Sequence, residues 1–486
     1  MMASAVLPGA AGALVDGVGI VVVSFFVLLN TATAVLLIRA MPQLWRHWDL
    51  VDERSLASVL TSEALPTLSV VVTGVADRAT TIDGVRGLLS LRYPRHEVVL
   101  VHDGAASGDL PALVQAFDLY QVPPAVLVRV PTGPVRGYYR SRRHGKLFVI
   151  DKERGGRADD LNAALNASRF PYVLTMDVNT WLEPDALLRL MRPFLVGERV
   201  AAVAATARII DEPAPGTGPT ERTRVPGRWL PGVQAVERIR ESIGRLGWNA
   251  LGGQLLTGDG VLLHQREHLL DIEGYRNDAG DEALDLVIRL RRHLRAQQLS
   301  DAIPVIPDVV AWMRAPGTAR AVVSRRGRVL RGQLEVLCAN GTLFSRRAGV
   351  ARLLVPLHVV GVTVVAPLME LVGYLLVVVA LVTRGWSDRF IPLFAVTVLG
   401  YAALLTLWAV ALESASVRRF ASWGDVARLS LFAVAEQLGF RQLALWSRLH
   451  AAWAALRGEP SGDWERHAVG DAADVPLASP DRTRAS

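Results

Sequence analysis

The pattern of hydrophobic and polar residues divides the chain into membrane-type and soluble-type segments. From Gly17 to Ile38 there is no charged residue, and this is about the length of a helix that crosses a bilayer core. The segment is too long for a cleaved signal peptide and lacks its basic start. Asp16 precedes it and Arg39 follows it, so the positive-inside rule predicts a first transmembrane helix that brings the following residues to the cytosol.

The central part of the chain has the pattern of an α/β domain. Short β-branched runs alternate with amphipathic helical stretches, as in a doubly wound, Rossmann-like sheet. The runs are almost continuously apolar, which is typical of parallel strands buried on both faces. They are LSVVVTG (68–74), EVVLVHDG (97–104), AVLVRV (125–130), YVLTMDV (172–178) and VAAVAATARI (200–209).

A second hydrophobic region follows the α/β domain. Its first stretch, residues 353–382, is longer than one straight span needs and is interrupted by Pro356 and Pro367. A kinked helix and an interfacial piece followed by a span both fit that stretch. A further span covers about residues 390–411, so we expect three spans in all.

The tail after the last span has apolar residues at helical spacing over 426–456, with Arg at intervals. A helix packed on the cytosolic domain and an amphipathic helix on the membrane surface both fit this pattern. The last residues are rich in Ala, Asp, Pro and Ser and are expected to be disordered. The expected segments are an N-terminal segment 1–16, transmembrane helix 17–39, α/β domain 65–315, basic interfacial helices 316–348, transmembrane region 349–383, transmembrane helix 390–412, cytosolic amphipathic tail 413–466 and disordered tail 467–486.

Composition supports a membrane protein. It gives no support for nucleic acid as a partner, and it excludes an intramolecular disulfide or a cysteine-based zinc site. Of the 486 residues, 51% are hydrophobic and the mean hydropathy is +0.28, so part of the surface is expected to face lipid. The net charge of +7 comes almost entirely from scattered Arg, with Lys only at Lys146 and Lys152, and no basic stripe predicts nucleic acid as a partner. A single cysteine, Cys338, excludes an intramolecular disulfide and a cysteine-based zinc site.

Several segments resemble the bacterial membrane-bound family 2 glycosyltransferases, relatives of the cellulose and hyaluronan synthases. The resemblance implies a cytosolic α/β domain of GT-A fold combined with transmembrane α-helices, in a multi-pass protein of the inner (plasma) membrane. The matching segments are LSLRYPRHEVVLVHDG (89–104), GYYRSRRHGKLFVIDKERGGRADDLNAALNASRFPYVLTMD (137–177), WLEPDALLRLMRPFL (181–195), GYRNDAGDEALDLVIRLRRHLR (274–295) and AEQLGFRQLALW (435–446).

The donor-binding positions of that family are partly kept. Where the family reads P-A-Y-N-E after the first strand, this chain has T-G-V-A-D over 73–77, so the aromatic and the amide are gone. Asp103 matches the family aspartate that contacts uracil or ribose, and Asp159 is kept, although Arg157 replaces the usual Lys. These residues are either ordinary carboxylates at strand and helix ends or a residual nucleotide-sugar site. The candidate nucleotide-sugar contacts are Asp77, Asp103, Asp159 and Asp177.

The family's metal motif is altered. Its D-x-D triplet corresponds here to Asp177, Val178 and Asn179. Asn offers a divalent cation a neutral carbonyl in place of an anionic oxygen, so metal affinity should fall. The resemblance implies Mg²⁺ or Mn²⁺ wherever a nucleotide-sugar binds, held by Asp177 and Asn179, and otherwise no cofactor.

The catalytic base is the sharpest difference from the family. Its T/V-G-E-D segment aligns without a gap so that Glu282 matches the Glu and Ala283 replaces the base Asp, and alanine cannot accept a proton. A shifted alignment pairs Asp281 and Glu282 with the family's Glu and Asp and keeps a carboxylate. That alignment needs an insertion, and one helical position rotates a side chain by about 100°.

The acceptor motif Q-x-x-R-W is also changed. Arg325 stands at the Gln position, Arg328 is kept, and Val329 replaces the Trp on which a sugar would stack. In the family this motif contacts the acceptor sugar and the diphosphate. A basic helix face near lipid headgroups is the other reading of these arginines.

Two functions follow from these changes. The first is a pseudoenzyme that keeps the fold and acts as a scaffold or regulator in envelope polysaccharide or glycan synthesis, beside a partner glycosyltransferase or an envelope-assembly subunit. The second is an active inverting transferase that moves a sugar from a nucleotide-sugar donor to a glycan or lipid acceptor. Losses at the donor, metal, base and acceptor motifs act as one unit, which favours the first.

Overall fold

The computed structural model of the chain describes residues 9–50, 65–74, 77–104, 109–197, 199–210, 225–251, 260–340, 360–383, 387–416 and 422–457. Six of the expected segments lie wholly or partly outside these residues. They are the N-terminal segment (1–8), the α/β domain (75–76, 105–108, 198, 211–224 and 252–259), the basic interfacial helices (341–348), the second membrane region (349–359), the amphipathic tail (417–421 and 458–466) and the disordered tail (467–486).

A large mixed sheet forms the centre of the soluble domain, and helices cover it. The strands are β1 (Leu68–Thr73), β2 (His96–His102), β3 (Leu119–Val122), β4 (Val135–Ser141), β5 (Leu147–Lys152), β6 (Tyr172–Asp177), β7 (Thr180–Leu182), β8 (Ala202–Ile210), β9 (Leu262–Gln265) and β10 (Val305–Arg314). The helices, counted from the first membrane helix α1 (Gly9–Leu50), are α2 (Arg78–Leu89), α3 (Asp109–Phe117), α4 (Arg157–Ala167), α5 (Ala186–Leu195), α6 (Trp229–Ala250), α7 (Arg266–Asp271), α8 (Glu282–Ala296) and α9 (Ala319–Ala339).

The strand order is β3-β4-β5-β2-β1-β6-β9-β8-β10-β7. Its centre, β5-β2-β1-β6, is parallel throughout. The apolar runs predicted β1, β2 and β6 but not β5. Antiparallel pairs flank this centre on both sides, because β4 pairs with β5 and β9 pairs with β6. The predicted combination of an α/β domain with apolar helices is confirmed.

Alternation along the parallel strands builds a core on each face of the sheet. Val70 and Val72 point to one face, where they pack with α2 and α5. Val71 points to the other, where it packs with Leu161 and Leu165 of α4. Both faces of the sheet are therefore covered by apolar side chains, which explains why apolar and polar residues do not alternate along these strands.

One predicted strand is wrong. The run AVLVRV (125–130) forms no strand, and two of its large apolar side chains are exposed. The side chain of Asn166 replaces a strand neighbour: its Oδ1 accepts from the backbone N of Arg129 and Val130 at 2.8 and 3.0 Å, and its Nδ2 donates to the Val130 carbonyl at 2.9 Å. The strands actually formed in this part of the chain are β3, β4 and β5.

Within the described residues, three helical segments are long and apolar enough to cross a membrane. They are Val15–Trp45 within α1, Gly361–Val382 and Phe390–Ser416. The second segment comprises a π-helical turn (Gly361–Val365) and α10 (Ala366–Thr383). The third follows from α11 (Ser387–Phe394) through a π-helical turn (Ala395–Gly400) into α12 (Tyr401–Ser416).

The tail forms two helices, α13 (Trp423–Ala435) and α14 (Arg441–Leu456), joined by a kink. Gly439 has a φ of +88° at this kink, in the left-handed region that favours glycine. Arg441 donates through Nε to Glu370 Oε1 of α10 at 2.6 Å, while Trp446 and Trp453 are more than half exposed. The last tail helix therefore packs on α9 and on α10, with Trp446 and Trp453 on its exposed side.

Candidate active site

The candidate site lies at the carboxyl ends of the central parallel strands, the edge at which open α/β sheets bind ligands. β1 runs between β2 and β6, and its last residue, Thr73, is aligned with Asp177 at the end of β6. Asp103 directly follows β2. The topology thus brings Asp103 and Asp177 to one edge of the sheet, as expected for a nucleotide site.

Arg157 joins two carboxylates at this edge. Its Nε donates to Asp177 Oδ1 at 2.9 Å, and its Nη1 forms an ion pair with Glu282 Oε1. The three side chains are 29%, 46% and 20% exposed, so the cluster opens to solvent at Asp177. Although burial acts to lower the pKa of Arg157, the two carboxylates raise it well above its ordinary value, so this guanidinium is permanently charged.

Local structure fixes the geometry of this cluster. Gly156, with a φ of +91°, turns the chain into α4 and makes Arg157 the first residue of that helix. Glu282 is likewise the first residue of α8, and Asp177 is the last residue of β6. Element ends place these side chains over the sheet edge, in agreement with the general location of ligand sites.

Asp281 caps a helix. It is the N-cap of α8, and its Oδ1 accepts a hydrogen bond from the backbone N of Leu284 at 2.9 Å. Burial raises the pKa of Asp281, with a further contribution from the neighbouring Glu282. In the shifted alignment Asp281 would be the family's Glu and Glu282 its base, and only Glu282 reaches the cluster around Arg157.

Asp77 also caps a helix, α2. Its carboxylate accepts from the backbone N of Thr80 at 3.1 Å and from the Thr80 hydroxyl at 2.6 Å. Burial acts to raise the pKa of Asp77, but these hydrogen bonds and the charge of Arg314 outweigh it, and the net pKa is lowered. Capping of α2 is therefore a sufficient structural role for the Asp77 carboxylate.

Asp159 lies below the site surface. Its side chain is buried, with Oδ1 accepting from the backbone N of Gly133 at 2.7 Å and Oδ2 paired with Lys152. Lys152 is completely buried and also lies 3.3 Å from Asp160 Oδ1. Burial raises the pKa of Asp160 to about 7, although Lys152 opposes the shift. Asp159 therefore shapes the floor of the site through protein contacts.

A second charged cluster, which the sequence analysis did not single out, lies beside Asp103. Asp151, at the end of β5, accepts from Arg136 Nε and Nη2 at 2.9 and 2.6 Å and is 3.0 Å from His102 Nδ1. Burial acts to raise the pKa of Asp151, but Arg136 and His102 outweigh it and lower it overall. The guanidinium of Arg136 is partly exposed and lies against Gly104, the residue after Asp103. The position of Asp151 at a strand end was the signal that could have found this cluster.

Arg325 and Arg328 lie on α9, as the sequence placed them on a helix. Arg325 is exposed, and Val329, at the Trp position, is 48% exposed. The helix touches the loop before α8, because Gly332 packs directly against the backbone of Gly280. The acceptor-motif helix and the loop that carries Asp281 and Glu282 are therefore neighbours.

The described residues do not form a ready metal site. Among them, no group of three or more His, Cys, Asp and Glu side chains is arranged to hold an ion. At the expected position Asp177 Oδ1 already accepts from Arg157, and Asn179 contributes no charge. These two residues alone could offer a divalent cation one anionic ligand and one neutral ligand.

Sequence comparison identifies the domain. The family described as "Glycosyl transferase family 2" matches residues 69–244, from β1 into α6. The poly-beta-1,6-N-acetyl-D-glucosamine synthase of Staphylococcus epidermidis is 23% identical over 260 residues, and that of Staphylococcus aureus (strain COL) is 22% identical over 261. Each match covers 53% of this chain and 52% of the relative, so this chain spans about half the length of these synthases.

A mannosyltransferase from Pyrobaculum calidifontis, solved with GDP-Man and Mn²⁺, aligns with 85% of this chain and 99% of its own at a TM-score of 0.46 and 15% identity. Glucosyl-3-phosphoglycerate synthase from Mycobacterium tuberculosis aligns with 58% of this chain and 82% of its own at a TM-score of 0.33 and 15% identity. The family resemblance predicted from the motifs is confirmed by the sequence matches. The chain carries a glycosyl transferase family 2 domain of GT-A type, combined with apolar helices, and is related to polysaccharide synthases.

Proposed function

We propose that this protein is a membrane-integrated family 2 glycosyltransferase-like protein that keeps a nucleotide site but is impaired in sugar transfer. It acts as a scaffold or regulator in the synthesis of an envelope polysaccharide or glycan, beside a partner glycosyltransferase or an envelope-assembly subunit. One observation carries the proposal. Arg157 pairs with both Asp177 and Glu282, the carboxylates that metal binding and proton abstraction would need.

The state of the three residues at the base position supports impairment. An inverting transferase needs a carboxylate that is ready to take the acceptor proton. Ala283 has no carboxylate, and the carboxylate of Asp281 accepts the hydrogen bond that caps α8. Glu282 would have to leave a charged guanidinium before it could accept a proton, and an opposite charge at contact distance favours the anion.

The relatives support the assignment to polysaccharide synthesis and to a membrane. Their printed activity is the synthesis of poly-beta-1,6-N-acetyl-D-glucosamine, and the three apolar helices give this chain the means to sit in a bilayer. The excess of basic residues after the first span supports an inner-membrane protein with the α/β domain in the cytosol. In that orientation the domain meets nucleotide-sugars where cells keep them.

The second candidate is an active inverting transferase, and one observation favours it. Glu282 lies in the same cluster as Asp177, where the shifted alignment would place the base. In that account Arg157 would hold Glu282 until the donor binds, and Asp177 and Asn179 would hold a Mg²⁺ or Mn²⁺ that would stabilise the charge on the departing nucleoside diphosphate. The two candidates differ in one measurable quantity, the rate of donor turnover.

The test uses the full chain purified in detergent or nanodiscs, with a panel of UDP-sugars and Mn²⁺ or Mg²⁺, and measures release of UDP. We expect no release above that of the Glu282→Ala variant. Glu267→Ala is the matched control, because Glu267 is an exposed glutamate in the first turn of α7. Steady release by the wild type and by Glu267→Ala, but not by Glu282→Ala, would replace the first candidate with the second.

A further inference from the structure

The guanidinium of Arg157 has more N–H donors than its two carboxylate partners at the sheet edge use. An arginine carries five N–H donors in a planar fork, and the contacts with Asp177 and Glu282 each use one of them. Nη2 faces Gly260, lying 3.8 Å from the point that a Cβ on that glycine would occupy. Because the residue at 260 has no side chain, no side chain at that position covers this end of the fork.

A divalent cation fits poorly beside this guanidinium. It would compete with Arg157 for Asp177 Oδ1, and the two positive charges would repel each other at contact distance. Asn179 supplies no second anionic oxygen to offset that repulsion. The guanidinium of Arg157 therefore already occupies the place beside Asp177 Oδ1 that a cation would take.

We propose that the guanidinium of Arg157 takes the place of the divalent cation, so that the site binds the diphosphate of a nucleotide directly and without metal. This inference rests on the proposed function, which keeps a nucleotide site. Phosphate oxygens accept paired hydrogen bonds from a planar guanidinium. An arginine has enough N–H donors to bind a phosphate and still keep its bonds to two carboxylates. The family's Lys at this position is a point charge, so the change to Arg at 157 and the change to Asn at 179 compensate each other.

The local backbone supports an anion at this point. Arg157 opens α4, whose N-cap, Gly156, carries no side chain to close the end of the helix. The partial positive charge of a helix N-terminus adds to that of the guanidinium for a ligand at the same edge. Asp159 and Asp160, also in the first turn, are buried and face Lys152, so their charge is largely taken up inside the protein.

The experiment is isothermal titration calorimetry on the detergent-solubilised full chain, with UDP, GDP and inorganic pyrophosphate as separate probes. Each probe is titrated once in buffer with EDTA and once with excess Mn²⁺. We expect at least one probe to bind with the same affinity, within about twofold, in both buffers. Arg157→Ala should weaken that binding about tenfold or more in both, as loss of a charge-assisted hydrogen bond does.

Two further variants keep the result interpretable. Arg157→Lys retains the charge and should bind more weakly than the wild type but more tightly than Arg157→Ala. Arg154→Ala is the matched control, because Arg154 is an exposed arginine in the loop that leads into α4, and it should bind as the wild type does. The wild type in EDTA is itself a test that needs no variant.

Two results would overturn the inference, and they are distinguishable. Binding that appears only with Mn²⁺ and survives Arg157→Ala would restore a metal site and leave the proposed nucleotide site standing. No binding of any probe in either buffer would overturn the inference together with the nucleotide site of the proposed function.

Discussion

The guanidinium of Arg208 on β8 donates to both carboxylate oxygens of Glu413 on α12, with Nε–Oε1 and Nη2–Oε2 distances of 2.8 and 2.6 Å. Both side chains are at most 3% exposed. This pair joins the central sheet directly to the third apolar helix. The sheet that carries the candidate site is therefore held in a fixed relation to the membrane part of the chain.

The Arg208–Glu413 pair predicts a strong asymmetry between single and double variants. Arg208→Met leaves a buried carboxylate without its partner and should cost about 3–5 kcal/mol of stability, whereas Arg208→Met with Glu413→Leu should cost much less. The measurement is the melting temperature of the purified chain. Arg86→Ala, in the exposed pair with Asp83, is the control and should change stability by about 0–1 kcal/mol. Equal losses in the single and double variants would show that the pair is not buried as described.

A close approach of two helices gives a second prediction. Gly247 of α6 lies against the backbone of Leu36 in α1, and a Cβ there would collide with that backbone. We expect Gly247→Ala to lower the melting temperature, because the first apolar helix must shift away from the domain. Gly244, on the same helix, has open space around it, and Gly244→Ala should be neutral or stabilising by up to about 1 kcal/mol. The contact would be refuted by equal behaviour of the two variants.

The raised pKa of Asp160 predicts a pH-dependent stability. Its pKa is about 7 in the folded chain against an ordinary value of 3.8, because burial disfavours the charged form. Between these values the folded state binds more protons than the unfolded state, so stability falls as pH rises from about 4 to about 7. This contribution is on the order of 2–4 kcal/mol.

The corresponding experiment compares Asp160→Asn with the wild type at pH 5 and pH 8. The variant should melt close to the wild type at pH 5, where Asp160 is protonated, and above it at pH 8. Asp83→Asn, which changes a surface carboxyl that is 34% exposed, should follow the wild type at both values. A difference between Asp160→Asn and the wild type that stays constant with pH would contradict the assignment.

The sequence was most informative where one residue type dominates a whole segment. Unbroken apolar runs located β1, β2 and β6 of the central parallel strands and the helices long enough to span a membrane. The run 125–130 misled, because at its last two residues the backbone bonds to the side chain of Asn166, whose position along the chain carries no periodic signal. Strands β4 and β5 were missed, because charged residues interrupt β4 and the apolar part of β5 is short.

The candidate site was likewise predicted only in part. Motif positions located Asp177, Glu282 and Arg157 individually, but not the bridge among them. Arg157 and Glu282 are 125 residues apart, and only the folded chain shows that they meet. The caps formed by Asp77 and Asp281 were open to prediction, since each precedes a helix by one residue. For the Asp151 cluster, the place of Asp151 near the end of a strand was a signal in the sequence, but its pairing with Arg136 and His102 of two other strands was not.

We propose that pairing of Asp177 and Glu282 with Arg157 leaves the site without a working base. The most direct measurement is incorporation of label from radioactive UDP-sugars in membrane vesicles that contain the full chain, which supply lipid and glycan acceptors in place. We expect the same background incorporation for the wild type and for Glu282→Gln. Incorporation by the wild type that Glu282→Gln abolishes, with Glu267→Gln active, would contradict it.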